Sequence, residues 1–359
     1  MDRLRIALVA PVDKVRPPLA GGSVQLVCRL AEHLADRGHE VTVLGTGRPD
    51  PPPATPYRWL DTQRSTGLHA DPFMAESMHS ISVDRMLDSA ELDIVHDHTL
   101  SGPLLVHRHE ATVVHTVYTT APDTIAATAA RGATPRLRLV AVSDHQRALV
   151  PNRAWLATVH PAVAVETYPF GADRGGPCVI LDELGTIQDT QSALEAAHRA
   201  GRPAVVVGSG SVAGTWESVD PRIGRLLGPG DRLAMHPSPA ERIELLTSAS
   251  CLLAPLTGMW PFCSAMTEAL ACGTPVVALR RGAATEIVDN GVTGWLCDHP
   301  GELASAVAQV GRLDRRACRQ QALDRFDLPR MADELETAYH AVVRTAQRHI
   351  IASGPAVGA

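Results

Sequence analysis

The chain has 359 residues, enough for two domains that each bury their own core at roughly 100–200 residues per domain. Its net charge is −6 and Lys14 is its only lysine, so no overall positive field draws nucleic acid or an anionic membrane surface. The seven cysteines are scattered and include no C-x-x-C pair, which argues against a disulfide framework or a zinc site and for reduced thiols in a cytoplasmic protein. No run of about 18 apolar residues occurs, and the apolar opening of the chain is too short for a signal peptide.

Residues 4–11 form a short apolar run bounded by polar residues and proline, which predicts a buried strand. Residues 17–23 read as a proline–glycine loop. Val24, Val27, Leu30, Ala31 and Leu34 then recur at helical spacing over 24–38, and Gly38 supplies the stop. A strand over 40–44 completes a βαβ unit, which requires a parallel sheet. Residues 49–56 are proline-rich and extended. Short strands are expected at 92–98, 112–117 and 139–142, with a helix at 143–149. Strands apolar on both faces need helices on both sides of the sheet.

Proline and glycine mark residues 161–177 as a domain linker. The alternation then restarts: strand 178–181, helix 190–200, strand 204–208, helix 240–248, strand 251–254, helix 264–271, strand 275–278. A last helix over 328–346 is long enough to return to the first domain. The expectation is an α/β protein of two doubly wound, Rossmann-like parallel-sheet domains, residues 1–165 and 166–327, with 328–350 crossing back. Such sheets bind ligands beyond the carboxyl ends of their strands, and both domains are expected to present those ends to a central cleft.

Two loop–helix junctions carry candidate chemistry. Gly21 and Gly22 stand between the first strand and the first helix, where backbone N–H groups and the missing side chains suit a phosphate or sugar; a plain tight turn reads equally well. Pro261 and Phe262 open a helix whose one acidic residue, Glu268, is flanked by apolar and small residues. A carboxylate there needs hydrogen-bond donors, which a ribose diol or a structural salt bridge supplies. His96 and His98 flank Asp97 on a strand, so the two imidazoles share a face opposite Asp97. That pattern predicts no metal; Asp97 or His98 instead suits a ligand contact at the edge of the cleft.

The stretch Glu268-Ala269-Leu270-Ala271-Cys272-Gly273-Thr274-Pro275-Val276 resembles the C-terminal signature of glycosyltransferase family 4, retaining enzymes of GT-B fold. Residues 280–295, 21–41 and 93–98 resemble the family as well, so the resemblance spans nearly the whole chain. It implies that Glu268 holds the ribose of a nucleotide sugar. It further implies that Gly21, Gly22 and the backbone around Phe262, Cys263 and Ser264 line phosphate and sugar, with His98 at the cleft edge. Three positions depart from the family pattern. Trp260 stands where a glutamate contacts the transferred sugar. Glu183 and Gln188 stand where an arginine and a lysine grip the diphosphate, with Lys14, Arg16, Arg174 and Arg281 as substitute cations. Tyr118 stands where a histidine lies beside the reacting carbon, which makes it the catalytic candidate; His115 should face the other way.

The resemblance implies a retaining glycosyltransferase that needs no metal or other cofactor and moves a sugar from a nucleotide-sugar donor to a small-molecule or glycan acceptor. A setting in actinobacterial secondary metabolism is a further expectation; the arginine-rich composition reads as a trace of a GC-rich genome and not as function. The departures leave two other readings open: altered coupling chemistry, with an unusual sugar or a nitrogen or sulfur acceptor, and a catalytically inactive binding protein.

Overall fold

In the computed structural model the apolar run Arg5–Val9 (β1) is enclosed on both faces, with Ile6, Ala7 and Leu8 fully buried. The structure describes residues 2–12, 23–46, 57–62, 72–88, 90–99, 111–122, 136–151, 155–173, 175–181, 186–208, 221–235, 237–258 and 260–353. Gly21, Gly22, Glu183, Lys14, Arg16 and Arg174 lie outside the described residues. Among the described residues, one compact unit runs to His160 and resumes at Leu328, and a second is Pro161–Asp327.

In the first unit β1 is joined by β2 (Glu40–Gly45), β3 (Arg58–Asp61), β4 (Ile94–Asp97), β5 (Thr112–Val117), β6 (Leu137–Ala141) and β7 (Trp155–Thr158). The sheet is parallel throughout, in the order β3-β2-β1-β4-β5-β6-β7. Helices α1 (Ser23–Asp36), α2 (Pro72–Leu87) and α3 (Asp144–Leu149) lie on its crossovers. On α1 the periodic residues Val27, Leu30, Ala31 and Leu34 are fully buried and Val24 half-buried. Gly38 ends the turn after α1 at φ +90°, a conformation that L side chains rarely adopt, and its N–H reaches Ala35 O at 2.9 Å. The sequence pattern does not signal β3, β7 or α2. The two strands are sheet edges and only partly buried, and the apolar residues of α2 form no single stripe.

The C-terminal helix (Leu328–Ser353) packs in this first unit, with Leu335 and Tyr339 buried and Arg37 bridging Asp333 at 2.6 Å and Glu336 at 2.8 Å. Among the described residues no helix is long and apolar enough to cross a membrane.

The second unit holds β8 (Cys178–Leu181), β9 (Ala204–Gly208), β10 (Arg232–Met235), β11 (Cys251–Ala254), β12 (Val276–Leu279) and β13 (Gly294–Cys297). They form a second parallel sheet, ordered β10-β9-β8-β11-β12-β13. Its helices are α4 (Ile187–Arg199), α5 (Pro221–Leu226), α6 (Pro239–Ser248), α7 (Ser264–Ala271), α8 (Ala284–Ile287), α9 (Leu303–Gln309) and α10 (Arg315–Phe326). Helix α4 starts three residues before the expected 190 because Thr186 and Asp189 close a capping box, each side chain meeting the other's backbone N–H.

Residues 161–177, expected as a linker, pack into the second unit. Val163 pairs with Asp327, and Val165 and Tyr168 are buried. A Cβ on Gly171 would meet Thr247 O at 2.0 Å, and one on Gly176 would meet Ser248 O at 1.8 Å. These glycines serve close backbone approach, not flexibility. The buried guanidinium of Arg315 holds the contact, donating to the carbonyls of Gly171, Thr247 and Ala249.

Candidate functional site

In an open parallel sheet the strand order reverses at one place, and the crevice beyond the carboxyl ends there is the natural ligand site. In the second unit the reversal falls between β8 and β11. The loop after β11 leads directly into α7, whose N-cap, Cys263, makes no side-chain cap. The positive end of the helix dipole there suits an anion. Thr257 N in the same loop donates to Asp189 Oδ1 at 3.2 Å, tying it to the start of α4. Gln188, beside Asp189, is exposed.

Beyond the ends of β11 and β12 lies a narrow pocket whose walls include Leu256, Trp260, Cys263, Met266, Leu279 and Arg281. The Trp260 indole folds over Gly258, where a Cβ would come within 3.3 Å of Nε1. Burial pushes the Cys263 thiol up to about 11, so it remains protonated near neutrality and is no nucleophile.

Glu268 occupies the other side of α7. It lies two residues beyond Met266, a turn of about 200°, and so faces α6 rather than the pocket. There Arg242 Nε donates to Glu268 Oε2 at 3.3 Å, with both side chains buried. Burial, then the Glu268 charge, raises the pKa of the Tyr168 phenol. Of the sequence candidates on this segment, Cys263 lines the pocket and Ser264 sits half-buried in the first turn of α7. Phe262 is placed in the core instead of on the wall: it is buried, and its ring centroid is 6.1 Å from that of Phe326. An aromatic ring one residue before the N-cap finds more apolar surface beneath the loop than in the crevice.

In the first unit the order reverses between β1 and β4, and the carboxyl ends there carry a cluster of buried imidazoles. His98 N donates to Val9 O at 3.0 Å, so the residue continues β4 beside β1. His96 and His98 share a face, ring centroids 4.0 Å apart. His96 is held by Tyr339 of the C-terminal helix and by Thr116 Oγ1. His98 Nδ1 meets the Tyr118 hydroxyl at 3.0 Å, while its buried Nε2 has no hydrogen-bond partner among the described residues. His115 points the other way and donates from Nδ1 to Asp97 O at 3.1 Å. Asp97 Oδ1 accepts from Thr99 N at 2.8 Å. Burial lowers all three histidine pKa values, His98 to about 3, so the imidazoles are neutral near pH 7.

Gln146 sets the loop that carries Tyr118. Its amide donates at 2.7 Å to Val117 O and 2.7 Å to Thr119 O, and its Oε1 accepts from Val142 N at 2.8 Å. Sequence reasoning missed Gln146, although Ser143-x-x-Gln146 is a capping-box spacing that signals it. It missed Arg242 and Tyr339 as well, because long-range pairing leaves no local trace.

His39, Glu336 and His340 come within metal-ligand reach near the amino ends of β1 and β2, far along the strands from this cluster. Their hydrogen bonds oppose a metal. His39 Nδ1 accepts from Leu4 N at 3.1 Å, so its proton sits on Nε2 and is donated to Glu336 Oε1 at 3.1 Å. Arg37 holds the other oxygen at 2.8 Å. An ion would have to displace that proton while the Leu4 N–H still faced Nδ1.

Solved structures share this architecture. A glycosyltransferase involved in avilamycin A biosynthesis superposes with TM-score 0.69 at 22% identity, covering 95% of this chain and 98% of its own. Sucrose-phosphate synthase from Thermosynechococcus elongatus gives 0.74 at 16%, covering 96% and 100%. Anabaena Alr3699/HepE in complex with UDP and glucose gives 0.68 at 16%, covering 94% and 100%. The fold is GT-B. Sequence comparison adds the family: a Glycosyltransferase Family 4 model matches residues 20–174 and a Glycosyl transferases group 1 model matches 186–312. The chain belongs to glycosyltransferase family 4 and is an enzyme of that type. Among curated relatives, D-inositol 3-phosphate glycosyltransferase of Mycobacterium tuberculosis is 29% identical over an alignment of 375 positions, covering 87% of this chain and 76% of the relative. Phosphatidyl-myo-inositol mannosyltransferase of Propionibacterium freudenreichii is 25% identical over 326, covering 81% of each.

Proposed function

We propose that the protein transfers a sugar from a nucleotide-sugar donor to a small-molecule or glycan acceptor, with retention at the anomeric carbon and without a metal, in the cytoplasm. The observation that carries this reading is the uncapped start of α7 beside a pocket at the carboxyl ends of β11 and β12, next to the strand reversal. Such a crevice suits a nucleotide's phosphates. The complex of Alr3699/HepE with UDP and glucose supports a nucleotide-sugar donor.

On this reading the N–H groups after Cys263 and Ser264 receive the phosphates and Glu268 holds the ribose. Gly21 and Gly22 are the further candidates for the phosphate and sugar, as the family resemblance implies. Tyr118 and His98 meet the acceptor side, with His98 Nε2 the polar atom that awaits a hydroxyl. With its imidazoles neutral and buried, the protein supplies position and electrostatics, and the leaving phosphate takes the acceptor's proton. The avilamycin A enzyme supports a role in secondary metabolism. Incubation with nucleotide sugars and candidate acceptors, followed by NMR of the anomeric proton of the product, tests the proposal. An inverted product refutes retention, and the absence of product with every donor that binds refutes transfer.

One observation favours a second reading, binding without turnover. Asp189 places a buried carboxylate at the start of α4, beside the loop that would hold the diphosphate. Tight nucleotide-sugar binding with no transfer or hydrolysis would establish it.

A further inference from the structure

His98 and Tyr118 meet beyond the carboxyl ends of β4 and β5, and they are held by different means. His98 stands one residue past β4 and stays in the ladder, its N–H donating to Val9 O at 3.0 Å. Tyr118 stands one residue past β5, beyond the last registered pair, Val117 with Ala141. The sheet therefore fixes one partner of the 3.0 Å contact and leaves the other to its loop. Gln146 fills that gap. Its NH2 group donates to the carbonyls on both sides of Tyr118, Val117 O and Thr119 O, and its Oε1 accepts from Val142 N just past β6. Both amide N–H groups and the amide oxygen are thus engaged, and the side chain is fully buried, so loss of the amide leaves an enclosed carbonyl unpaired. The clamp is itself anchored: Ser143 Oγ caps α3, accepting from Gln146 N at 3.1 Å.

We infer that Gln146 is a positioning residue for sugar transfer: by holding the backbone on both sides of Tyr118 it keeps the phenol against His98, and so aims His98 Nε2 at the acceptor. The inference rests on the reading above that Tyr118 and His98 meet the acceptor, and adds the group that sets their geometry. A misplacement of about 1 Å in such a constellation costs up to about 100-fold in rate.

The test uses the full chain and Gln146→Glu, which keeps the side chain's size and the acceptor for Val142 N but turns a carboxylate oxygen toward the two carbonyls. Gln146→Met, unbranched and uncharged, replaces it if the first variant melts below the assay temperature. Nitrogen NMR of the histidine rings needs no ligand, the His98 signal being the one missing in His98→Asn. That signal should move in the Gln146 variant as it does in Tyr118→Phe; an unmoved signal overturns the inference. Transfer is then measured with the donor and acceptor that yield product in the screen above. The Gln146 variant should lose about 10- to 100-fold in rate, with unchanged affinity for whichever of UDP, GDP, ADP and dTDP the protein binds. In a Tyr118→Phe background the same change should cost less than about threefold, because the hydroxyl it places is gone, whereas independent losses multiply. Multiplying losses, or a matching fall in nucleotide affinity, overturns the inference and leaves the transfer reading standing. If Tyr118→Phe transfers as fast as the wild type, or nothing is transferred, the underlying reading fails and the inference falls with it.

Discussion

Arg242 Nε and Glu268 Oε2 face each other at 3.3 Å inside the second unit, with 7% and 6% of their side chains exposed. The pair gives Glu268 a structural task beside the proposed hold on ribose, and the two tasks separate by substitution. Glu268→Gln should weaken nucleotide binding by about 1–3 kcal/mol, the worth of a charged hydrogen bond. It should also lower stability, because the buried Arg242 guanidinium loses the charge of this partner. Replacing both residues by methionine should recover much of the stability, since a buried pair exchanged for apolar groups is often neutral. Nucleotide affinity should remain low. A double variant that regains both, by thermal melting and calorimetry, would show that Glu268 serves the fold alone.

Tyr118 and His98 give a prediction of the opposite kind. Tyr118→Phe removes the hydroxyl 3.0 Å from His98 Nδ1 while leaving the ring and the Gln146-held backbone in place. Nucleotide affinity should be unchanged, because the second unit is untouched. The transfer rate should fall about 10- to 100-fold if the pair orients the acceptor. Equal rates for variant and wild type in single-turnover assays would remove Tyr118 from the reaction.

The buried histidines predict how stability varies with pH. His96, His98 and His115 have folded-state pKa values below the ordinary 6.5, owing first to burial, and the unfolded chain takes up protons at about that value. Between the unfolded and folded values the unfolded state binds more protons, so stability falls as pH falls. The full contribution is present above about pH 7 and is lost on acidification below about 6.5, with His98 contributing down to about 3. Each such histidine adds up to about 1.4 kcal/mol per pH unit in that window. Urea unfolding at several pH values should show a slope that becomes shallower in His98→Asn. An unchanged slope would mean that His98 is protonated in the folded protein.

Four strands with two-sided burial, β5, β8, β9 and β11, fall at the expected residues, because a fully enclosed strand must be apolar throughout, whereas the largely buried β13 was not expected. The partly buried edge strands β3 and β7 lack that signature, and β10, mostly exposed, reads as loop. The glycines of 161–177 misled, since composition does not distinguish a flexible glycine from one pressed against Thr247 O. Of the sequence candidates, Cys263 lines the pocket beside α7, His98 and Tyr118 meet at 3.0 Å, and Glu268 pairs with Arg242. The side of α7 on which Glu268 acts, the hold of Gln146 on Val117 and Thr119, and the interior position of Phe262 depend on contacts between distant segments.

Gln188 and Asp189 set the last prediction. The family pattern puts a lysine at Gln188 and an arginine at Glu183, so affinity for ordinary nucleoside diphosphate sugars should be low. Restoring both, Glu183→Arg with Gln188→Lys, replaces one negative charge with two positive ones near a dianion. Gln188 is exposed in the first turn of α4, where a lysine opposes the helix dipole at a cost of about 0.3–1 kcal/mol. Two charge-assisted hydrogen bonds to phosphate, each worth about 1.5–3 kcal/mol, outweigh that cost. The buried Asp189 carboxylate sits beside the new lysine and offsets part of the gain. Nucleoside diphosphate affinity should still rise by about 10- to 100-fold. The gain should decline steeply with salt if the site is open to solvent and only slightly if it is enclosed, because ions of the medium screen exposed charges over about 8–10 Å. No gain in calorimetry would show that the diphosphate does not lie against the start of α4 and that the two departures leave the donor site intact. A large gain in binding without faster transfer would place the limiting defect elsewhere, at Trp260 or Tyr118.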